Sequence, residues 1–443
     1  MKAGVSLKKG IRRARSRSWI GGIAAGVIAL AAGAQTPAKV EAKPVKIGLV
    51  TFLSGPAAGP FGVPARNGAE LLAEAINGGK LPAPYATPGL GGAPIALVFI
   101  DEAGGPTRQV SEYRDLVQRQ NVDLVIGYIS SGDCLAIAPV AEELKKLTIL
   151  FDCGTPRIFE DAAHKYVFRT DAHAAMDSVA AALYVVENKP NLKKVAGINQ
   201  NYAWGQDSWN DFEASLKTLK PSVQVATSQM PTLGAGQYGA EISALLSSAA
   251  DVVHSSLWGG DLEAFVLQAA PRGLFKKSTV VLTAGEPAMF KLAKQIPEGT
   301  IIGARGSHGV FAPDNELNRW FRRAYEDRYS IPPSYATYHM AQALLGLKAA
   351  YEKAQGGSRN PPTAEQIIAS LEGLSFDSPS GTVKMALGKG HQAIEGTAYG
   401  TFKLQNGQPV LTNIKRYAAE AVNPPEGVKT ADWIKSSLKR PGS

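Results

Sequence analysis

Tyr128-Ile129-Ser130-Ser131-Gly132-Asp133-Cys134 joins an apolar run to a helical pattern. Hydroxyls and unpaired N–H groups at a helix start suit a carboxylate, because the dipole and the free donors both favour negative charge. The plainer role for Ser130, Ser131 or Asp133 is to cap that helix. Asp152-Cys153-Gly154-Thr155-Pro156 follows the next apolar run and offers a second hydroxyl and further donors toward the same point. Phe61 follows the first run and suits either a pocket wall or the core. Asn201-Tyr202-Ala203-Trp204-Gly205 and Ser256-Leu257-Trp258-Gly259 each place an indole after an apolar run, where it can clamp a ligand's apolar part or pack between lobes. Glu286 stands alone after VVLT; it suits an ammonium, or the first turn of a helix.

Groups for turnover are not displayed. Gly234, Gly236 and Gly239 match G-x-G-x-x-G literally, but a dinucleotide site also needs a tight strand-to-helix turn and an acid ending the next strand. Here that strand, DVVHSSL, ends in Leu257. No G-x-S-x-G elbow, phosphate loop or H-E-x-x-H helix occurs, and His164, His173, His254, His308, His339 and His391 have no ligand spacing. No catalytic residue, metal or cofactor is expected.

The segments that must position these residues alternate regularly. Val45–Leu53, Pro94–Ile100, Val122–Ile129 and Thr148–Phe151 read as buried strands, separated by helical spacing such as Ala65, Ala69, Leu72 and Ile76. A second series runs from Tyr166: helices over 173–188, 204–218, 238–249 and 259–271, strands over 194–199, 223–230, 251–257 and 278–283. Helical patterns fill Asp314 to Leu371, and short strand-like runs follow from Thr382 to Tyr417. The order predicts an α/β fold of two doubly wound lobes with parallel sheets. Lys80–Ala93 reads as a Pro/Gly-rich surface loop, and residues 421–443 as an exposed tail.

Composition bounds the rest. The chain has 443 residues, 45% hydrophobic and 19% charged, enough for two or three folding units. Of the formal +9, seven basic residues lie in the acid-free stretch before Ala34, leaving +2, too little for a nucleic-acid footprint. That stretch, with the apolar run Trp19 to Ala32 and cleavage sites at Ala34 or Ala42, reads as a signal peptide. Its apolar run is short of the ~20 residues that span a bilayer. An exported chain permits a Cys134–Cys153 disulfide, with two buried thiols as the alternative.

The ordered set IGLVTFLSGPAAGPFG, NGAELLAEAIN, VDLVIGYISSGDCLAIAPVAEE, LFDCGT, NYAWGQDSW and GHQAIEGTAYGTFKL, from about Val45 to Tyr417, resembles the solute-binding proteins of ABC transporters. More narrowly, it resembles the leucine/isoleucine/valine-binding family with the type I periplasmic-binding fold. The resemblance implies three crossovers, near Thr170, Gly303 and Ala398. The first lobe would then take 43–170 plus 304–398 and the second 171–303 plus 399–420, after a leader over 1–42. It also implies carboxylate capture at Ser131 with Cys153 and Thr155, side-chain contacts from Phe61, Trp204 and Trp258, and an ammonium partner in Glu286. Trp204 departs from a common Tyr, and Cys153 from a smaller residue.

The expectation is a non-enzymatic, monomeric periplasmic receptor. It would bind an amino acid or related small carboxylate or amide and deliver it to a membrane permease. An exported α/β enzyme and a ligand-sensing module are the alternatives.

Overall fold

A computed structural model describes residues 43–439; the expected signal peptide, with its cleavage sites at Ala34 and Ala42, lies outside the described residues. In chain order the strands are β1 (Val45–Thr51), β2 (Ile95–Asp101), β3 (Leu124–Gly127), β4 (Thr148–Leu150) and β5 (Val167–Arg169). Then come β6 (Lys194–Ile198), β7 (Gln224–Gln229), β8 (Val252–Ser255), β9 (Thr279–Leu282) and β10 (Ile301–Gly303). The last are β11 (Ser375–Ser378), β12 (Gly381–Leu387), β13 (Gln392–Ile394), β14 (Thr397–Gln405) and β15 (Gln408–Tyr417).

They form two sheets, ordered β11-β12-β13-β5-β4-β3-β1-β2 and β15-β14-β10-β9-β8-β6-β7. β1 to β5 pair in parallel, as do β6 to β10, and helices on both faces bury them. Burial on two faces explains why β1 and β3 read as unbroken apolar runs. The chain passes between the sheets after β5, after β10 and at Glu395-Gly396. Thr397 and Ala398 already pair with Tyr417 and Arg416 in the second sheet, so the third passage comes before Ala398.

Each sheet reverses its strand order beside its first strand, β1 in one and β6 in the other. In such sheets the crevice beyond the carboxyl ends of the strands at the reversal holds ligands. The segments carrying Phe61, Ser131, Thr155, Trp204 and Trp258 all start there.

Two expectations change. The tail is docked in its described part: helix Thr430–Ser437 buries Trp433 and Ile434 in one cluster with Trp209 and Phe212 of helix Ala203–Leu219. Adjacent apolar residues on a short helix overrode the polar composition around them. Lys80–Ala93 is likewise more than surface, because Leu81, Tyr85 and Leu90 enter the first core.

Candidate functional site

A narrow cleft lies where the two sets of strand ends meet, lined by Ile129, Ser131, Asp152 and Gly154 on one side and Tyr202, Trp204 and Trp258 on the other. Arg305 and Tyr335, which follow the second passage, complete its lining.

The first side is built around Ser131, the first residue of helix Ser131–Glu143. Its Oγ accepts from the N–H groups of Gly154 and Thr155, each at 3.2 Å, and so ties the two loops together. That leaves the hydroxyl hydrogen of Ser131 available to the cleft. Ser130 is the cap, accepting from Asp133 N at 3.4 Å. The N–H groups of Ile129 and Ser130, expected to be open to an anion, donate instead to the buried carboxyl of Glu102. Burial pushes the Glu102 pKa well up, with the Asp133 charge adding to it. A disulfide joins Cys134 to Cys153 and fixes the second loop on the helix.

The second side is aromatic. Trp204 lies against Gly154, and its indole N–H donates to Ser256 O at 2.9 Å. The Trp258 N–H donates to Tyr202 Oη at 2.8 Å, leaving the Tyr202 hydrogen to face elsewhere. Phe61 meets Trp258 edge-on at 5.5 Å between ring centroids and Tyr335 at 5.2 Å. It backs the wall without lining the cleft.

The floor is ionic. Arg305 is buried, has a left-handed backbone (φ 47°) and stacks its guanidinium 4.6 Å from the Trp204 ring centre. It donates to the side chain of Asp152, to Asp152 O at 2.5 Å, to Asp171 Oδ2 at 3.3 Å and to Asp177 Oδ2 at 3.4 Å. His339 bridges Asp152 Oδ1 at 2.8 Å and Arg305 O at 3.0 Å. Burial opposes a proton on His339, but the charges of Asp152 and Asp171 and the hydrogen bond to Asp152 together outweigh it and its pKa is raised. Burial pushes Asp177 and Glu395 up to about 7. One guanidinium therefore organises carboxyls from both lobes beneath the cleft.

Of the residues expected from sequence, Ser131, Trp204 and Trp258 line the cleft. Thr155 stands beside it, its hydroxyl donating across the lobes to Asp207 Oδ2 at 2.6 Å. Ser130 is occupied as a cap and Cys153 by its disulfide. Glu286 is not on the lining: it accepts from Tyr335 N at 3.1 Å at the start of helix Tyr335–Gln355, and burial lifts its pKa to about 7. Position after a strand predicted its place but not the direction of its side chain.

Arg305 and Tyr335 were missed. Asp152 and Tyr202 lay within the expected segments but were not singled out. The loop that carries GAGQYG gives its Gly234 and Gly236 N–H groups to the carboxylate of Asp261, so its donors serve the chain itself. His308, His339 and Glu395 bring possible metal-ligand atoms within 4.8 Å of one another, a grouping that spacing along the chain does not display. Both His339 nitrogens are already hydrogen-bonded there.

The sequence pattern of the periplasmic binding protein family matches residues 44–408. Leu/Ile/Val-binding protein homolog 4 of Brucella melitensis is 24% identical over 377 residues, 82% of this chain and 85% of that protein. Homolog 3 of the same organism is 28% identical over 210 residues, 47% of this chain and 53% of that protein, so this match spans about half the relative's length. Among solved structures, a solute-binding protein of an R. palustris ABC transporter in complex with benzoate superposes with a TM-score of 0.71 at 23% identity, covering 86% of this chain and 99% of that one. A leucine-binding protein from Thermotoga maritima superposes with a TM-score of 0.68 at 20% identity, covering 84% and 98%.

Proposed function

We propose that this chain, which belongs to the periplasmic binding protein family, is the substrate-binding protein of an ABC importer. It takes up an amino acid or related small carboxylate between its lobes and hands it to a membrane permease. The observation that carries this reading is the convergence of Ser131, Trp204 and Trp258 on one cleft at the carboxyl ends of strands from both sheets. The relatives' names lend weight to the ligand class, since they include Leu/Ile/Val-binding homologues and a benzoate complex.

The steps are physical, with no covalent chemistry on the solute. The Ser131 hydroxyl, helped by those of Tyr202 and Tyr335, holds the anionic head, while Trp204 and Trp258 cover the body of the solute. Arg305 sets the field beneath the head. Its charge is shared among three carboxylates, so the cleft takes a small acid without becoming a strong general anion trap. Closing the lobes replaces water with these fixed partners, and the ligand shifts an open–closed equilibrium by its preference for the closed form. The protein works as a monomer in the periplasm after removal of its leader.

A thermal-shift screen against branched-chain amino acids, amides and aromatic acids, with chemical analysis of the recovered compound, tests the reading. A stabilising compound recovered unchanged supports it, because binding to the native state alone raises apparent stability. Recovery of a converted product favours the enzyme alternative.

A further inference from the structure

Arg169 ends β5 and is fully buried, yet no carboxylate among the described residues pairs with it. Its Nε donates to Gln392 Oε1 at 2.5 Å and its Nη1 to the carbonyls of Cys153 and Thr155 at 2.6 and 2.8 Å. Its Nη2 has no partner. Burial draws its pKa down to about 10, so it stays charged at neutral pH. Asp171, Glu160 and Asp207 act on it through space, but its direct hydrogen bonds go only to neutral groups, which leaves Nη2 open to a counter-charge in contact.

Beside it lies a second cavity, separate from the cleft and about 170 Å³ in volume, between the first lobe and the segment leading to the C-terminal helix. Arg169, Gln392, His173, Glu160, Glu426 and Lys429 form its polar lining, and Phe159, Pro425 and Val428 give it apolar walls. The Phe159 ring centre is 5.6 Å from the Arg169 guanidinium. The other charged lining residues have partners of their own: Glu160 accepts from Thr430, Glu426 from Lys389 N, and Lys429 pairs with Asp161.

We propose that this cavity is a second binding site, for a small organic carboxylate whose oxygen accepts from Arg169 Nη2 and whose carbon chain lies along Phe159 and Val428. Inorganic phosphate shares the oxyanion chemistry and is the competing source. Because Arg169 also holds the carbonyls on either side of Gly154, an occupant here braces the loop that forms the cleft floor.

The test is ligand-observed saturation-transfer NMR on the full chain with butyrate as probe. The transfer signal is expected in the wild type and in the cleft variant W204A/W258A. It is expected to be lost in V428W, a partly exposed wall position filled by the larger ring, and in R169Q. A thermal melt verifies that R169Q is folded, and V428W stands on its own if R169Q is not. In the cleft variant, displacement of butyrate by phosphate identifies a general oxyanion site, and no displacement identifies an organic one; both keep the site. A signal lost in W204A/W258A but kept in V428W places butyrate in the cleft alone and overturns the proposal. So does the absence of any signal from butyrate in the wild type.

Discussion

Gly154 and Trp204 meet face to face across the lobes: a Cβ on Gly154 would fall 2.4 Å from Cε3 and Cζ3 of the indole. The backbone at Gly154 does not require glycine, as its φ is not in the left-handed region. The missing side chain therefore serves the approach of the second lobe, not the local turn.

Gly154→Ala should leave the fold intact and penalise the closed form selectively. If the clash costs about 1–3 kcal/mol, as overpacking does, ligand affinity falls about 5- to 150-fold. The melting temperature without ligand should barely move. Calorimetric titration beside a thermal melt checks this; unchanged affinity would mean that the lobes do not close on that ring.

Ser131→Ala removes the acceptor of two buried N–H groups and the cleft-lining hydroxyl proposed to hold the head of the solute. Leaving buried donors unpaired costs about 1–3 kcal/mol. Both stability and affinity should drop, whereas Ser131→Thr should restore part of the affinity. A variant that loses stability alone would reduce Ser131 to a loop tie.

The pH dependence of stability has a defined sign at Glu286. Burial raises its pKa from 4.5 to about 7 in the folded chain. Its contribution is whole below pH 4.5 and is lost as pH rises through about 7, because the ionised form is disfavoured inside. On the order of 3 kcal/mol is at stake across that window. Glu286→Gln should flatten this part of the stability curve in denaturant titrations at pH 5 and pH 8. It should leave ligand affinity nearly untouched, since Glu286 faces Tyr335 N and not the cleft. A large affinity loss would restore the ammonium role.

The Cys134–Cys153 bridge closes a short loop, with a sequence separation of 19. Chain-entropy reasoning gives about 3 kcal/mol for a loop of that size. Reductant should lower the melting temperature of the wild type and have no effect on C134S/C153S. Affinity should weaken as well, since Cys153 carries Gly154. Equal melts with and without reductant would show that the bridge adds no stability.

What could be read in advance follows the physics of each element. β1, β3, β6 and β8 were legible because parallel strands buried on both faces leave apolar runs. β5 and β10 are three residues long and, unlike β4 in TILF, lie in no longer apolar run, and SFDS in β11 is polar at three of its four positions. That Ser131, Trp204 and Trp258 line the cleft was legible because they follow the carboxyl ends of parallel strands, where such sheets leave a crevice. Arg305 was not: it lies in a passage between lobes, and its acidic partners are 128 to 153 residues away in sequence. Glu286 shows the limit of the rule, since a backbone position says nothing about which neighbour the side chain will choose.

The most direct test is calorimetric titration of the wild type and of S131A/W204A with the carboxylate that most raises the melting temperature. The account predicts one tight cleft site per chain in the wild type, apart from any weaker binding beside Arg169, and a loss of at least about 100-fold at that tight site in the double variant, the sum of a head contact and a ring contact. Equal affinity in the two proteins, with both folded, would contradict it.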